Sequence, residues 1–313
     1  MEISAILMFS VVFFLEGVFI LTGNIFSIFV FWKHRAKLKR TTYPLVNLAV
    51  ADILVAVEIS FLVCSEIKYL ATKRISQDDW LLITNFALDG FCGVASLLSL
   101  LVIALERLYA VHWPFRHRTL KTRSYTATIL LIWIIAAASA YLYLETIYNF
   151  FQLKFVCSLM LVFIVGSALV VIIVACNLIY TQTRRNNPEG FNERRAQQNK
   201  KLTKTLFIIT VLSIVCWLPG IILSIRVNFI DDLITLKVIL LVKMIQFFNC
   251  GVDPIIYTFR MPLVKTELMK IFSKFSPKRK QRHDATRIQE MAVATLWRTT
   301  GVEISLQNFE TRL

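Results

Sequence analysis

The sequence predicts an all-α membrane protein, a bundle of seven transmembrane helices followed by a short amphipathic eighth helix. Three observations support this fold class. Hydrophobic residues make up 57% of the 313 residues and charged residues only 18%, whereas soluble domains have about a quarter of charged residues. Seven segments are apolar over the length that a helix needs to cross a hydrocarbon core of ~30 Å. Basic residues concentrate in alternate connections between these segments.

The third apolar segment carries charged residues at both ends. Asp89 lies near its outer end, Glu106-Arg107 lies at its inner end, and the sixteen residues between them are uncharged. Because charged groups inside a membrane are costly, we expect a functional site at each end and the other spans packed around this helix. The seven predicted spans are 3–32, 41–65, 80–109, 124–144, 155–183, 205–225 and 238–259.

The distribution of basic residues predicts the orientation of the chain in the plasma membrane. The connections after the first, third and fifth spans contain five, four and seven Lys or Arg residues, sixteen in all. The opposite side has six basic and six acidic residues. The positive-inside rule therefore predicts an extracellular N-terminus and a cytoplasmic C-terminus. The net charge of +15 is explained by topology, so nucleic-acid binding is not expected.

The chain after the seventh span divides into two parts. Apolar residues recur at helical spacing over residues 259–275 with lysines between them, which predicts an amphipathic helix on the inner leaflet. Pro277 ends this pattern, and a basic, polar tail that we expect to be disordered follows. We therefore predict a membrane domain over residues 1–275 and a cytoplasmic tail over 276–313.

Other classes of protein find little support in the sequence. The six cysteines form no CxxC pair, which argues against a zinc site. No constellation of nucleophile and base indicates an enzyme. A transporter or channel is the alternative from another class, but inverted repeats and helices broken by Gly or Pro, which are typical of transporters, are not visible.

Polar and proline motifs in the spans resemble those of rhodopsin-like (class A) G-protein-coupled receptors. The resemblance covers residues 1 to about 275. It implies a receptor that binds an extracellular ligand within the bundle and activates heterotrimeric G proteins when the sixth helix moves outward. The motifs are Gly23-Asn24, Asn47 to Asp52, Glu106-Arg107-Leu108, Trp133, Cys216-Trp217-Leu218-Pro219, Asn249 and Asp253-Pro254-Ile255-Ile256-Tyr257.

The resemblance implies a switch at the inner end of the bundle. Glu106 neutralises Arg107 at rest, and on activation Arg107 turns towards Tyr180 and Tyr257 to meet the G protein. Pro219 kinks the sixth helix because it donates no backbone hydrogen bond, and Trp217 is either the residue that a ligand displaces or ordinary core packing. The residues implied in coupling and switching are Glu106, Arg107, Pro114, Phe115, Tyr180, Trp217, Pro219, Asp253, Pro254 and Tyr257.

The same resemblance implies a sodium ion in the middle of the membrane. Asp52 lies deep in the second span and needs partners there, and two carboxylates, Asp52 and Asp253, suit a hard cation. The alternative is a hydrogen-bonded polar cluster without an ion. The residues of the implied site are Asn24, Asp52, Ser96, Asn249 and Asp253.

Several positions depart from the family pattern. Leu108 replaces the usual Tyr after the arginine, Ser213 replaces a Phe of the switch, and Asn199 replaces an acid that would restrain Arg107, which predicts some basal activity. The cysteine expected near Leu82 is absent. This absence, a short second outer loop and a proline-free fifth span are similar to the melanocortin, lysophospholipid and cannabinoid receptors, often grouped with adenosine receptors. Cys64 and Cys157 form either a disulfide or two free thiols.

The ligand pocket is expected at the outer end of the third span. Asp89 stands where receptors for biogenic amines have the aspartate that binds the ammonium group, a charge-assisted contact. The alternative is that Asp89 pairs with Lys243 and recognises no ligand. Phe247 stands where opsins have their lysine, which argues against a light receptor. The expected pocket residues are Glu66, Asp89, Cys92, Trp217, Lys243, Gln246 and Phe247.

The expected partners follow from both ends of the bundle. The few residues before the first span favour a small molecule or short peptide as ligand, and the excess of acids in the outer half favours a cationic one. Thr311 and Leu313 at the C-terminus fit capture by a PDZ domain, although so short a motif also occurs by chance. Threonines in the tail could be phosphorylated to bind arrestin. No cofactor is expected beyond the sodium ion that the resemblance implies.

Overall fold

The computed structural model describes residues 3–37, 42–72, 79–148, 154–185, 208, 211–226, 236–260 and 262–275. Within these ranges every regular element is a helix, including a 3₁₀ turn at Arg35–Lys37, so the predicted all-α class is confirmed for this part of the chain. The helices are α1 (Ile3–Lys33), α2 (Tyr43–Thr72), α3 (Trp80–His112), α4 (Pro114–Thr119), α5 (Thr122–Tyr148), α6 (Lys154–Arg185), α7 (Val211–Ile225), α8 (Leu236–Arg260) and α9 (Pro262–Phe275).

Six of these helices, α1, α2, α3, α5, α6 and α8, are long and apolar enough to cross a membrane. They correspond to six of the seven predicted spans and run up to seven residues past the predicted ends, as α2 does at Thr72, because a helix can continue beyond its apolar stretch. The shorter apolar helix α7 corresponds to the predicted sixth span. Of residues 205–210, which begin that predicted span, only Ile208 lies within the described ranges.

The chain forms two compact units, Met1–Met261 and Pro262–Leu313. The second contains α9, whose Lys270 donates to Glu267 at 3.0 Å. The predicted domain boundary after residue 275 stays a prediction, as does the place of this helix on the membrane.

Helix α3 occupies the centre of the bundle. It packs against α2, α4, α5 and α6. In its most apolar stretch 61% of the residues are buried, whereas the corresponding value for α5 is 17%. Among the six long apolar helices, α3, which carries Asp89 and Glu106, therefore has the largest buried share of its most apolar stretch.

Polar side chains connect α3 to its neighbours. Asn47 on α2 donates to Ser99 at 2.8 Å and accepts a hydrogen bond from the indole of Trp133 on α5 at 3.0 Å. Ser139 on α5 donates to the backbone carbonyl of Gly90 at 2.9 Å. Hydrogen bonds between membrane helices contribute about 0.6–2 kcal/mol each, so these contacts determine the register of α2, α3 and α5.

An apolar cluster connects α1, α2 and α8. Phe13 and Ile20 on α1 are fully buried and pack with Ile59 on α2 and Phe247 on α8. The rings of Phe13 and Phe247 meet edge to face with their centroids 5.9 Å apart. This cluster brings α8, and with it Lys243, close to α2 and α3.

The first turn of α3 is capped at its N-terminus. The carboxylate of Asp79 accepts a hydrogen bond from the backbone amide of Leu81 at 3.1 Å and one from Lys68 at 2.5 Å. The contact with Lys68, followed by the backbone hydrogen bond, holds the pKa of Asp79 below its ordinary value. The cap therefore stays charged at neutral pH, which suits the positive end of a helix dipole.

All six cysteines are free thiols in the structure. Cys64 is exposed and Cys157 is buried. Of the two alternatives left open by the sequence, the structure contains the free thiols.

The contact between α3 and α5 can be tested at Gly90. A methyl group there would lie 2.8 Å from Cβ of Tyr143 and 3.1 Å from the backbone of Ala140. We expect Gly90→Ala to lower the unfolding temperature of the purified protein in detergent, because the two helices must move apart. Gly166→Ala is the control, since nothing lies within 4 Å of that position and alanine favours a helix by about 0.5–1 kcal/mol. Equal effects of both substitutions would contradict the close approach.

Candidate functional site

A cavity of about 520 Å³ opens between α2, α3, α6, α7 and α8. Six of the seven predicted pocket residues line it, namely Glu66, Asp89, Trp217, Lys243, Gln246 and Phe247. The seventh, Cys92, is fully buried in the apolar cluster with Phe9 and Phe13 and is not among the residues that line the cavity.

An ion pair between α3 and α8 forms part of the cavity wall. Nζ of Lys243 donates to Oδ2 of Asp89. Their side chains are only 20% and 14% exposed, so water screens the pair weakly. The pairing that the sequence left as one of two alternatives is therefore present in the structure.

A third charged residue, Glu58 on α2, joins this pair. Its side chain is buried, with the residue 2% exposed, and its carboxyl lies within hydrogen-bonding reach of the Asp89 carboxyl. Lys243 attracts both carboxyl groups and lies 5.9 Å from the centre of the Tyr143 ring. The single ammonium group of Lys243 thus lies close to two carboxyl groups. This part of the cavity therefore contains more acidic than basic groups.

Close packing places Trp217 of α7 in the cavity wall. The edge of its indole would lie 3.1 Å from a methyl group added at Gly93 of α3. One turn further along α7, Gly220 leaves space for Gln246, whose amide nitrogen would be 2.7 Å from a methyl group at that position. A methyl group at Gly93 would require the Trp217 indole to shift by a few tenths of an ångström, and one at Gly220 would require the Gln246 side chain to turn away.

Three of the five predicted sodium-site residues are in direct contact, and Asn24 binds the backbone of the same helix, α8, that carries Asn249 and Asp253. Ser96 donates to Asp52 at 3.0 Å, and the carboxyl groups of Asp52 and Asp253 lie within hydrogen-bonding reach of each other. Asn24 donates to the backbone carbonyl of Cys250 at 3.3 Å. The five residues of the set are at most 5% exposed.

Several oxygens of this cluster lack a hydrogen-bond donor within the described part of the chain. They are Oδ1 of Asn24, Oδ2 of Asp52 and Oδ2 of Asp253. In the same ranges, no group of three or more His, Cys, Asp or Glu side chains is arranged to hold a metal ion. A cation here would thus be held by two carboxylates with amide and hydroxyl oxygens, a set of hard oxygen ligands.

Ser213, one of the departures from the family pattern, has a partner in the structure. Its hydroxyl donates to Oδ1 of Asn249 on α8 at 3.2 Å, and Ser213 itself is 1% exposed. A hydrogen bond between α7 and α8 thus lies where family members have an aromatic packing contact.

The C-terminal end of α3 carries a polar group of three side chains. Oε2 of Glu106 lies 3.1 Å from Nε of Arg107, and its other oxygen lies 2.6 Å from Nε2 of His117 on α4. The Glu106 side chain is only 6% exposed. The Glu106 carboxylate thus lies beside Arg107, although Nε of Arg107 forms no hydrogen bond with the described residues, and the helix α4 supplies a second partner for Glu106.

Other predicted switch residues lie on α4, α6, α7 and α8. Pro114 is the first residue of α4, where its missing N–H costs nothing, and Phe115 is 82% exposed on the same helix. Tyr180 is 53% exposed on α6. Pro219 lies inside α7 and Pro254 inside α8. The side chain of Tyr257, and Asn199, Thr311 and Leu313, lie outside the described residues.

The set predicted from the sequence lacks three residues of the site, His117, Tyr143 and Glu58. His117 lies in a connection, and its contact with Glu106 depends on how α4 folds back, for which the sequence carries no periodic signal. Tyr143 looked like one of many aromatic residues of its span. Glu58, by contrast, gave the same signal as Asp89, a carboxyl group inside an apolar helix, and could have been included.

Comparison with known proteins agrees with this arrangement. Residues 23–257 match the family described as "7 transmembrane receptor (rhodopsin family)". The chain belongs to this family. Its members are receptors and not enzymes, as the sequence predicted, and the apolar helices make it a multi-pass membrane protein.

Individual relatives share parts of the chain. A Drosophila melanogaster protein named "Dopamine D2-like receptor" is 33% identical over 38% of this chain and 13% of its own length. The "Alpha-1A adrenergic receptor" of Rattus norvegicus is 33% identical over 38% and 25%. A Caenorhabditis elegans protein, "Probable G-protein coupled receptor tkr-1", is 25% identical over 76% and 64%. The aligned region thus spans less than two thirds of these relatives. The predicted likeness to the melanocortin and cannabinoid branch stays a prediction.

The ion pair at the centre of the cavity can be tested by paired substitutions. Lys243→Met leaves two carboxyl groups without a cation, whereas Asp89→Asn leaves Lys243 with Glu58. We expect Lys243→Met to be the more destabilising, by about 3 kcal/mol, and the double variant to be more stable than Lys243→Met alone. Thermal unfolding in detergent measures all three. Additive effects would contradict the pairing.

Proposed function

We propose that the chain is a cell-surface receptor whose ligand is a small amine, or a short basic peptide, bound in the cavity. The observation that supports this most directly is the excess of carboxyl groups there: Glu58 and Asp89 share the single ammonium group of Lys243. A ligand ammonium beside them would balance the second carboxylate, and charge-assisted hydrogen bonds are about twice as strong as neutral ones. The relatives named for dopamine and adrenergic receptors point to the same ligand class.

The signal would pass from the cavity to the cytoplasm through α7. A ligand in contact with Trp217 displaces the indole against Gly93, where the packing leaves no free space. The lower half of α7 then moves outward about Pro219, a backbone position that lacks a hydrogen-bond donor. This movement exposes Arg107, which leaves Glu106 to bind a heterotrimeric G protein, and the exposed Phe115 on α4 adds an apolar contact.

The sodium ion would stabilise the resting arrangement. Asp52 and Asp253 supply two negative charges, and Ser96 and Asn24 supply neutral oxygens. The oxygens that lack donors fit this role, because an ion would satisfy them. When bound, the ion supplies positive charge that holds α2 and α8 together.

In this proposal the two ends of the chain lie on opposite sides of the membrane. The N-terminus faces the outside and the C-terminus the cytoplasm of a cell with this receptor in its plasma membrane. The amphipathic α9 lies on the inner leaflet, with lysines towards lipid headgroups. Arrestin binds the phosphorylated tail, and a PDZ domain binds the terminal residues Thr311 and Leu313.

G-protein coupling can be tested at Arg107 with a panel of G-protein sensors in cells. We expect wild-type receptor to give basal signal for at least one G protein and Arg107→Ala to remove it, because the cation that meets the G protein is gone. Arg123→Ala, which removes an exposed arginine at the start of α5, is the matched control at equal surface expression. Equal signals from Arg107→Ala and wild type would contradict the role of Arg107.

The sodium site can be tested with purified receptor in sodium chloride and in choline chloride of equal ionic strength. We expect sodium to raise the unfolding temperature of the wild type, because choline is too large for the cluster. Asp52→Asn should abolish this difference, and Asp79→Asn, which changes an aspartate at the start of α3, should leave it intact. A sodium effect that survives Asp52→Asn would argue for the polar cluster without an ion.

A further inference from the structure

The walls of the cavity carry more carboxyl groups than cations. Four acids and two lysines are found among the described residues that line it. Each lysine forms one ion pair, and two glutamates of α2 remain outside those pairs. The pairs are Lys68 with Asp79 and Lys243 with Asp89, and the remaining acids are Glu58 and Glu66.

The two remaining glutamates differ in their surroundings. Glu58 lies close enough to Lys243 to be attracted by it. Glu66 lies two turns further along α2, where Ser10 on α1 donates to its Oε2 at 2.5 Å. Glu66 is only 9% exposed, and none of the described residues donates a hydrogen bond to its Oε1.

An oxygen in this position is open to a donor that is not among the described residues, such as a ligand. A buried acceptor that is left unsatisfied costs about 1–3 kcal/mol, and more when it is charged. Ser10 holds one oxygen and with it the position of the carboxyl group. The terminal torsion of a glutamate has a broad minimum, so a small rotation turns Oε1 from the wall towards the cavity.

The spacing of the two glutamates defines the size of the ligand. Glu58 and Glu66 are eight residues apart on one helix, which corresponds to about 12 Å along its axis at 1.5 Å per residue. Both line the same cavity. Two positive charges separated by roughly this distance could therefore be bound at once.

We propose that Glu66 is a second cation-binding site and that the ligand is a dication, whose near ammonium group binds at Asp89 and Glu58 and whose far ammonium group binds at Glu66. The inference rests on the proposed function for the near ammonium group and adds the far one. Ser10 orients the Glu66 carboxylate, and the ligand supplies the two positive charges that the cavity lacks.

The probes are α,ω-diaminoalkanes from diaminobutane to diaminodecane, each compared with the n-alkylamine of equal chain length. Binding to purified full-length receptor is measured as the concentration dependence of the unfolding temperature. We expect the diamine to bind at least tenfold more tightly than its monoamine once the chain is long enough to span the two glutamates. Shorter diamines should show no such preference, because they reach only one carboxylate.

Variants of Glu66 test whether its carboxyl group causes the preference for the long diamine over the monoamine. Glu66→Gln should reduce the affinity for the long diamine to that for the monoamine and leave the monoamine unchanged. Glu66→Asp, which retains the charge, should keep the preference and move it to a longer diamine. Glu16→Gln is the matched control, since Glu16 is another acid with a buried oxygen that lacks a described donor, but it does not line the cavity. The unfolding temperature without amine verifies that each variant folds.

Two outcomes overturn the second site: equal affinities for diamine and monoamine at every length, or a preference that persists in Glu66→Gln. Asp89→Asn separates this result from the proposed function. If that substitution weakens neither amine, the near site is wrong. If it weakens both amines while no diamine preference exists, the near site stands and only the Glu66 site is overturned. Coupling through Arg107 is measured in cells and depends on neither result.

Discussion

The interior of a membrane offers no hydrogen-bond partners, and this constraint determines how the bundle is arranged around α3. A polar side chain on a span must find its partner on another helix, or it remains unsatisfied at a cost of several kcal/mol. In α3 that requirement recurs from the N-terminal to the C-terminal end, so each polar residue binds a different neighbour. The pairs are Asp89 with Lys243, Ser96 with Asp52, Ser99 with Asn47 and Glu106 with His117.

At two places in the bundle the carboxyl groups outnumber the cations around them. Towards the N-terminal end of α3 two carboxyl groups share Lys243, and at mid-membrane Asp52 and Asp253 lie together without a cation among the described residues. Two negative charges side by side in low dielectric are unfavourable, so each pair of carboxyl groups either holds a proton or binds positive charge from outside. The same physical reason therefore links both proposed functions of the bundle, the binding of an ammonium ligand in the cavity and of a sodium ion at Asp52 and Asp253.

At the C-terminal end of α3 the situation is reversed. Glu106 is the one carboxylate for two basic side chains, Arg107 and His117. An acidic or carbonyl group on a G protein would compete with Glu106 for Arg107, and Glu106 is already shared with His117. The histidine also joins α4 to α3, so the loop that presents Phe115 is positioned by the same carboxylate that restrains Arg107.

The sequence alone was sufficient for properties that depend on composition and order along the chain. Hydropathy predicted the spans, because a helix that faces lipid must be apolar over its whole length, and charged residues inside those spans marked Asp89, Asp52 and Glu106. The partners of these charged residues could not be predicted from composition and order in the same way. Whether Asp89 meets Lys243, whether His117 folds back on Glu106 and whether Ser10 holds Glu66 depend on helix rotation and on close approach at residues such as Gly90, and these are set by the packing of the whole bundle. The residues that carry charge were therefore evident from the order of amino acids, whereas the partner of each charge emerged from three-dimensional packing.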